Sequence, residues 1–564
     1  MRVSLQTTTR HLARRGRNAL LAFAAAAAVA AAPAALAASG DVHFDITRFQ
    51  VEGNTLLPAR EIDRRLAALA GTGRSYGDIQ AAVEALQDAY RQAGYTTVIV
   101  SLPEQELTGG VVRIQVTEAV IGSVTVTGNA HFDTANIRAS LPALQEGQPP
   151  RLRAISEALQ LANENPSKQA SVTLAEGATP GTVDAKIAVD DTRPLRVIAT
   201  LDNTGTSASG LWRTGVAVQH ANLFGRDHVG TLAYTTAPDK PQGVRTDLYS
   251  LGYRIPFYGI GDSLDFIYGR SNTNTPASAP TLGGVLGFTG KGDVTALRWN
   301  HFLGREGERS AKLVLGLTHK NIDSRCSVGG VPVSIDGPTP PIASCVPYQT
   351  TPISITYAAQ REGLTQTLAY SASLAHNIAS GSRYTNVDGR SDRYSYLTSG
   401  NRDTIDDFTV VSGAAAFSHA LPAGWQARLA GSAQYSHVPL VASEQFALTG
   451  AGLVRGFDER AVAADSGIVL NAEVYTPELA PRAGFAGQWR LLAFVDAGHG
   501  SNERADGSAV PHTVNVSSAG FGTRYAWTRA FDLRLDVARV FDAGTSVTEQ
   551  RGDWRAHFLA VLSY

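Results

Sequence analysis

No group of residues in this sequence has the types and spacing of a known catalytic motif. The sequence contains no H-E-x-x-H, no G-x-S-x-G and no complete P-loop, since Gly290-Lys291 is preceded by Val285 where that loop needs glycine. The glycines of segment 450–456 fit a dinucleotide fingerprint except that the last is one position late. The 13 histidines are scattered and form no local nucleophile–base–acid signature. We therefore predict that the protein is not an enzyme and uses no cofactor and no metal.

One arginine lies in an unusual setting. Segment 453–457 (LVRGF) falls in a long connection, residues 437–466, between two predicted strands. If Arg455 is buried there, it needs a carboxylate partner. Asp496, in segment 494–498 (FVDAG) at the end of a later strand, offers one. The alternative is a solvated arginine and an ordinary Asp-x-Gly turn, and spacing alone favours that alternative.

The N-terminus has the pattern of an export signal. Five arginines lie from Arg2 to Arg17, and residues 19–32 form an unbroken run of 14 apolar residues, followed closely by Ala35-Leu36-Ala37. We interpret residues 1–37 as a cleaved signal peptide. A membrane anchor is the alternative, but the run is shorter than the roughly 20 residues that a spanning helix needs.

Two cysteines, Cys326 and Cys345, flank a segment rich in glycine, proline and serine. In an exported chain this pair predicts a disulfide that closes a surface loop. A metal site is disfavoured because no second cysteine pair or nearby histidine supplies the remaining ligands. We interpret the pair as bracing the loop.

Length and composition limit the remaining classes. The chain has 564 residues, which suggests two or three domains. Its formal net charge is −1 and 18% of its residues are charged, so it has no basic surface typical of nucleic-acid binding. After residue 32 no apolar run is long enough for a transmembrane helix.

The first part of the mature chain contains a repeat of about 75 residues. Segment 49–54 (FQVEGN) recurs as segment 124–129 (VTVTGN), and each copy is an alternating strand that ends in a Gly-Asn turn. Two helical patterns and two strands follow each copy. The sequence predicts two β-α-α-β-β units, at residues 43–118 and 119–191, each large enough for a small core.

From residue 194 to residue 564 the sequence shows one alternating strand after another. A soluble β-sandwich alternates with its apolar side inward, whereas a membrane barrel alternates with its apolar side toward lipid. The length of this region, the export signal and a strand that reaches the last residue favour the barrel, because an open edge cannot lie in lipid. The apolar positions of that final strand are Phe558, Ala560, Leu562 and Tyr564.

Counting the alternating segments gives 16 strands, an even number, as is usual in bacterial barrels. The predicted starts are Leu195, Arg213, Asp227, Asp247, Asp262, Asp293, Ser310, Pro352, Thr365, Asp407, Trp425, Gly467, Trp489, Thr513, Ala530 and Trp554. The predicted fold class is thus α+β units followed by an all-β transmembrane barrel of about 16 antiparallel strands.

Together these segments resemble the outer-membrane transporters of two-partner secretion, a family within the superfamily that includes the barrel-assembly proteins. The β-α-α-β-β units resemble paired POTRA domains. Segments 202–205 and 222–225 resemble the first barrel strands of the family. The V-R-G-Y/F motif matches Val454, Arg455, Gly456 and Phe457, and the F-x-D-x-G motif matches Phe494, Asp496 and Gly498.

The resemblance implies a location and a function. It implies a barrel in the bacterial outer membrane, residues 194–564, with POTRA domains at 43–118 and 119–191 in the periplasm. These domains would capture an unfolded exoprotein, such as an adhesin or a cytolysin, which then passes through the pore. Outer-membrane lipid and the barrel-assembly machinery would be further partners, and nucleic acid would not. The resemblance also implies that loop 437–466 folds into the lumen and that Arg455 pairs with Asp496.

Two points remain open at the level of sequence. Many relatives begin with a helix that plugs the pore, but here only residues 38–42 precede the first predicted strand, which leaves no room for one. Either the inward loop alone closes the pore or the resting channel is leakier. The alternative function is a barrel-assembly protein of the same superfamily; those typically carry more POTRA domains than two. A diffusion porin would have no need of the N-terminal repeat.

Overall fold

The computed structural model describes residues 43–272, 277–278, 287–288, 291–323, 327–328, 331–332, 346–385, 391–394, 404–508 and 510–564. The predicted signal peptide, residues 1–37, lies outside the described residues, and so does the predicted disulfide between Cys326 and Cys345. Among the described helices, none is long and apolar enough to cross a membrane.

The first N-terminal unit packs two helices on a three-stranded sheet. Its elements are β1 Phe44–Ile46, β2 Arg48–Glu52, α1 Ala59–Leu66, a 3₁₀ turn Ala67–Leu69, β3 Gly71–Arg74, α2 Tyr76–Gln92, β4 Ile99–Ser101 and β5 Val111–Thr117. The sheet has the order β2-β5-β4, with β2 parallel to β5. A capping box between Ser75 and Asp78 starts α2, whose buried residues Ile79, Leu86 and Tyr90 form the core. The sequence did not predict the short sheet β1–β3.

The second unit repeats this plan with fewer elements. These are β6 Val120–Thr127, α3 Thr134–Ala139, α4 Leu152–Ala162, β7 Lys168–Glu176 and β8 Thr182–Asp191. The sheet order is β6-β8-β7, with β6 parallel to β8. Its core includes Ile137, Ile155 and Ile187, which come from both helices and the central strand. The order of elements is β-α-α-β-β, as the sequence indicates.

The Gly-Asn pair of the repeat has the same structural role in both units. Gly53 has φ +81° and Gly128 has φ +85°, a backbone conformation that favours glycine. A Cβ atom on Gly53 would lie 2.2 Å from the carbonyl oxygen of Val116, and the second unit shows the same close approach. The Asn54 side-chain amide then donates to the carbonyl of Leu57 at 3.0 Å, which fixes the turn before α1.

A carboxylate at the end of each unit holds the chain after this turn. Glu118 accepts hydrogen bonds from the N–H groups of Thr55 and Leu56, at 2.9 and 3.0 Å. Asp191 accepts from the N–H groups of residues 130–132 in the second unit, at 2.9 to 3.2 Å. The repeat in sequence is therefore a repeat in hydrogen bonding that ties the last strand of each unit to its first turn.

Residues 195–563 form a closed antiparallel barrel of 16 strands. The strands are β9 Leu195–Asp202, β10 Arg213–Leu223, β11 His228–Thr236, β12 Asp247–Phe257, β13 Asp262–Ser271, β14 Gly292–Glu306, β15 Arg309–Ile322, β16 Pro352–Glu362, β17 Gln366–Asn377, β18 Thr409–Ala420, β19 Gln426–Ser436, β20 Ser466–Tyr475, β21 Gln488–Ser501, β22 Thr513–Trp527, β23 Phe531–Asp542 and β24 Trp554–Ser563. The predicted count is confirmed, and each predicted start lies within two residues of a strand.

The barrel closes through its first and last strands. Residues Leu559–Ser563 of β24 pair with residues 198–202 of β9, and the N–H of Tyr564 donates to the carbonyl of Val197 at 2.8 Å. Apolar side chains of the last strand face outward; Leu562 is 54% exposed and Tyr564 is 90% exposed. These exposed positions belong to the lipid-facing side of a membrane barrel.

The connections complete the fold. A short extra strand, Tyr348–Thr350, continues the line of β16, and pairs of two-residue strands occur at Ala277–Ser278 with Gly287–Phe288, Ser327–Val328 with Val331–Pro332, and Tyr384–Thr385 with Ser391–Asp392. A four-residue helix, α5 Ala480–Ala483, and 3₁₀ turns at Pro241–Gly243 and Pro422–Gly424 lie in other connections. The connection from β19 to β20 is the one that carries the candidate site.

Candidate functional site

The connection at residues 437–465, which we call the inward loop, packs on the inner wall of the barrel. The prediction ended this segment at residue 466, but Ser466 is already part of β20. Strands Phe446–Ala447 and Ala463–Ala464 pair in the loop, and the N–H of Leu448 donates to the carbonyl of Val462 at 2.9 Å. The loop is thus a hairpin with internal hydrogen bonds, and its tip carries Arg455.

The structure brings Arg455 and Asp496 together. The guanidinium Nε lies 2.7 Å from Asp496 Oδ2, and Nη2 lies 2.8 Å from Oδ1, which is a bidentate pair. The backbone N–H of Arg455 also donates to Oδ2 at 3.2 Å. Arg455 is 3% exposed and Asp496 is fully buried, so the pair is shielded from water.

Further groups complete the surroundings of the guanidinium. Glu473 Oε1 lies 2.9 Å from Nη1 of Arg455, and a carboxylate oxygen of Asp536 lies 3.7 Å from the same nitrogen. The ring of Phe494 lies 3.4 Å from the guanidinium carbon, a cation–π contact. Arg428 pairs with Glu473 at 2.9 Å, which balances part of the added negative charge. Such a buried network fixes one conformation more than it adds net stability.

Asp496 lies in the middle of its strand. The prediction placed it at the end of the thirteenth strand, but β21 continues to Ser501. Strand pairing continues through the glycines of segment 498–500, which the alternative interpretation of the sequence assigned to a turn. Because Asp496 is central, the guanidinium binds the inner wall well inside the barrel. The Asn471 amide donates to Asp496 Oδ1 and to the carbonyl of Leu453, both at 2.8 Å, and so links wall and loop.

Two glycines of the paired motifs allow close approach of loop and wall. Gly456 has φ +98°, and a Cβ atom there would lie 3.2 Å from the Cβ of Ala538 and 3.3 Å from Val540. On the wall, a Cβ atom at Gly498 would lie 3.2 Å from a methyl group of Val454. Each glycine therefore makes room for the backbone or side chain of the opposite segment.

Apolar contacts surround the charged network. Val454 and Phe457 are fully buried and pack with Leu448 and Val462 of the loop. On the wall, this cluster includes Val469, Val514, Val516 and Val540 from β20, β22 and β23. Burial of each such side chain is worth roughly 1.5–3 kcal/mol, so the apolar cluster provides much of the docking energy.

The last barrel strand also holds the loop, which sequence reasoning missed. The N–H of Gly456 donates to Nε2 of His557 at 2.8 Å, and Arg555 forms an ion pair with Asp458. Glu549, in the connection before β24, accepts from the N–H of Asp458 at 2.9 Å. These partners lie about a hundred residues from the loop in sequence, and their alternating pattern is that of any barrel strand, so no local signal marks them.

The lumen retains an open space next to the loop. A cavity of about 1050 Å³ lies between the loop tip at residues 451–453, the inner wall and the C-terminal end of α4. Its lining carries charges of both signs, including Arg428, Glu473 and Arg524. The rest of the lining includes many alanines, so charged and small apolar side chains alternate around this space.

Fold and site together define a class: a membrane barrel with POTRA units at one end and a loop docked inside. The sequence matches the POTRA domain, ShlB-type, over residues 44–119. It also matches the family described as haemolysin secretion/activation protein ShlB/FhaC/HecB over residues 181–334 and 352–525, which is more than half of the chain. The chain belongs to this family.

Individual relatives agree with this assignment. The outer membrane transporter CdiB of Dickeya dadantii is 26% identical over 182 residues, 32% of each chain. The transporter of the same name from Escherichia coli O6:K15:H31 is 24% identical over 279 residues, 50% of this chain and 46% of the relative. The chain thus spans from about a third to about half of the length of these curated relatives.

Solved structures show the same fold over nearly the whole chain. CdiB from Escherichia coli has a TM-score of 0.70 at 18% identity and covers 94% of this chain and 93% of that one. CdiB from Acinetobacter baumannii has a TM-score of 0.67 at 15% identity and covers 93% and 90%. The barrel and family place the protein in the bacterial outer membrane, with its POTRA domains in the periplasm.

Proposed function

We propose that this protein exports a secreted partner protein across the outer membrane through its barrel, in the manner of two-partner secretion. The single observation that carries the proposal is a lumen with charged groups in its lining, a loop docked in it and POTRA domains at its periplasmic mouth. A barrel that served only as a permanently open pore would need neither the docked loop nor the POTRA domains. Family membership and the CdiB relatives support the same function.

The POTRA domains receive the unfolded partner in this proposal. Each three-stranded sheet has two outer strands, β2 and β4 in the first domain and β6 and β7 in the second. In the second domain, the outer edge of β6 is bonded at Ile121 to residues 147 and 148, and that of β7 is bonded at Ala170 to the Asn163 side chain. An extended peptide can add to an unpaired outer edge through backbone hydrogen bonds that do not depend on sequence. The substrate is then an adhesin, a cytolysin or a similar exoprotein, and no nucleotide is needed because folding outside biases the direction.

The inward loop acts as the movable obstruction of the pore. Arg455 and Asp496 fix its docked position, while Gly456 and Gly498 let it lie close to the wall. Arg524 pairs with Asp536 at 2.8 Å, so three arginines face three carboxylates in this network. Because the network is balanced and largely buried, the docked state is well defined. A passing chain that displaces the loop removes Arg455 and leaves the wall residues in place. The residues at 454–457 and 494–498 therefore serve gating and not catalysis.

The test is an export assay in cells. The protein is co-expressed with a candidate exoprotein, and the exoprotein is measured in the medium and at the cell surface. We expect export to depend on this protein and to fail when residues 43–191 are removed. A strain lacking the protein that exports normally, but has reduced amounts of other outer-membrane barrels, would support barrel assembly as its function and overturn our proposal.

A further inference from the structure

Helix α4 of the second POTRA domain lies directly against the mouth of the barrel. The hydroxyl of Ser156 accepts a hydrogen bond from the N–H of Arg305 at 2.8 Å, and the Gln160 side chain donates to the carbonyl of Leu303 at 2.7 Å. Gly304, the residue between these two, is close to α4; a Cβ atom there would lie 3.0 Å from Arg153 Cγ. The helix is therefore seated on the end of β14.

The C-terminal end of α4 and the two residues that follow it face the lumen. Gln160, Asn163 and Glu164 line the same cavity that reaches the inward loop. Glu164 lies 3.2 Å from Arg254 and 3.3 Å from Lys312, two cations on β12 and β15. Its side chain is 35% exposed, so the carboxylate contacts water in the channel mouth as well as both cations.

A buried cluster joins the same domain to the barrel. The Lys168 ammonium and Asp227 form an ion pair with side-chain exposures of 0% and 1%. The ammonium lies 3.2 Å from the Asn136 amide oxygen, and the Tyr258 hydroxyl donates to Asp227 at 2.6 Å. The ring of Phe132 lies 5.3 Å from the same nitrogen. Asp227 and Tyr258 belong to the first two periplasmic turns, so the cluster spans domain and barrel.

Breaking this joint would be unfavourable. Separating the domain from the barrel would break the ion pair and part the hydrogen-bonded and aromatic groups that surround it. Amide groups add to it: Asn165 donates to the carbonyl of Ala221 at 2.7 Å, and Asn136 donates to that of Gly225 at 2.9 Å. The second POTRA domain is accordingly held in one orientation.

We propose that α4 is a fixed part of the channel wall, and that the exported polypeptide enters the lumen across Gln160, Asn163 and Glu164 while the joint at Lys168 and Asp227 stays intact. This inference rests on the proposed export function and names its entry route. The amide and carboxylate groups at this surface suit an extended, hydrated polypeptide. Glu164 is a selectivity residue because it offsets two cations at the mouth of the lumen, where charge affects which ions pass.

The first test measures ion selectivity in a planar bilayer under a KCl gradient. Glu164→Gln leaves Arg254 and Lys312 without this carboxylate, so we expect the reversal potential to shift toward that of Cl⁻. The matched control is Glu176→Gln, at an exposed position of β7 in the same domain, for which we expect no shift. An unchanged reversal potential in Glu164→Gln would show that α4 does not border the conducting path.

The second test links α4 covalently to the barrel, so that the domain cannot move away from it. Arg153→Cys with Gly304→Cys, in a background of Cys326→Ser and Cys345→Ser, links α4 to β14 on oxidation, and each single variant serves as control. We expect oxidised and reduced forms to export the same candidate exoprotein equally. Export that stops on oxidation and returns on reduction would overturn a fixed α4 but leave export itself established. No export by wild type in either condition would overturn both the proposed function and this inference.

Discussion

At the scale of single residues, the site depends on the shape of the arginine side chain. The guanidinium binds both oxygens of Asp496 and lies on the ring of Phe494, and a further nitrogen reaches Glu473. A planar fork of donors can make these contacts at once, whereas a lysine ammonium cannot. Arg455 therefore does more than neutralise a buried carboxylate, since it also sets the orientation of the loop tip.

Replacement of Arg455 should release the loop. In Arg455→Ala, Asp496 and Glu473 lose their shared cation, and we expect docking to weaken by about 3–5 kcal/mol. Hydrogen exchange of residues 446–464 in detergent should then be faster by at least a hundredfold. In Arg455→Lys, which keeps the charge but loses the planar group of donors, the exchange rate should lie between those of wild type and Arg455→Ala. Equal exchange in Arg455→Ala and wild type would mean that the apolar cluster alone holds the loop.

The next residue, Gly456, provides a steric test with a control four positions away, at Gly452. In Gly456→Ala the positive φ costs about 1–2 kcal/mol, and the new methyl group meets Ala538 and Val540. We expect weaker docking and faster exchange of the loop. Gly452→Ala should have little effect, because a Cβ atom there meets nothing within 4 Å. If both changes had a similar effect, the cause would be the reduced flexibility of the loop backbone, and contact of Gly456 with the wall would not be the reason.

At the scale of elements, the sequence identifies segments whose residue pattern recurs. It does not identify short segments that have no pattern of their own. Alternation of apolar and polar residues located all 16 strands, because lipid and water impose it on every strand. The Gly-Asn repeat located both β-α-α-β-β units for a similar reason, since the positive φ and the close contact at that glycine disfavour any other residue. By contrast, β1 and β3 are short and pair only with each other, so their residues carry little pattern.

The site itself could be predicted only in part. Arg455 and Asp496 belong to motifs of a family, and the structure places them in contact. His557, Arg555, Asn471 and Glu473 carry no such mark, because an inward-facing polar residue is ordinary in a barrel strand. Their roles follow from which strands surround the docked loop, and that depends on the closure of the whole barrel.

The carboxylates that end the POTRA units predict a response to acid. Burial raises the pKa of Glu118, but hydrogen bonds from the Thr55 hydroxyl, from the N–H groups of Thr55 and Leu56 and from Tyr90 lower it further than burial raises it. The folded pKa is therefore below the ordinary value of about 4.3. The ionised form stabilises the domain above that ordinary value, and this contribution is lost as pH falls through the folded pKa.

We expect the first POTRA domain of the full-length protein to lose stability as the pH is lowered from 6 to 3. Native-state hydrogen exchange, corrected for its intrinsic pH dependence, measures this in α2 and β5. Glu118→Gln should be less stable than wild type at pH 6 and should show less further loss in acid. A variant with the same stability and the same acid response as wild type would remove Glu118 from this explanation.

At the scale of the whole molecule, the chain is organised along one axis. POTRA domains lie at the periplasmic mouth, and the second is fixed there by the buried contact of Lys168 with Asp227. A cavity with charged groups in its lining follows, bounded on one side by the C-terminal end of α4 and on the other by the loop tip. The docked loop and its charge network come next, and the last barrel strand supports them through His557 and Arg555. This order matches the path that we propose for an exported chain.

The most direct test of this account is the conductance of the purified protein in a planar bilayer, with and without the inward loop. The comparison uses wild type and a variant in which residues 439–463 are replaced by a short Gly-Ser linker, both checked for a folded barrel. We expect small or rarely open channels from wild type and large, steadily open channels from the variant. Equal currents from two folded proteins would contradict the claim that the docked loop closes an export pore.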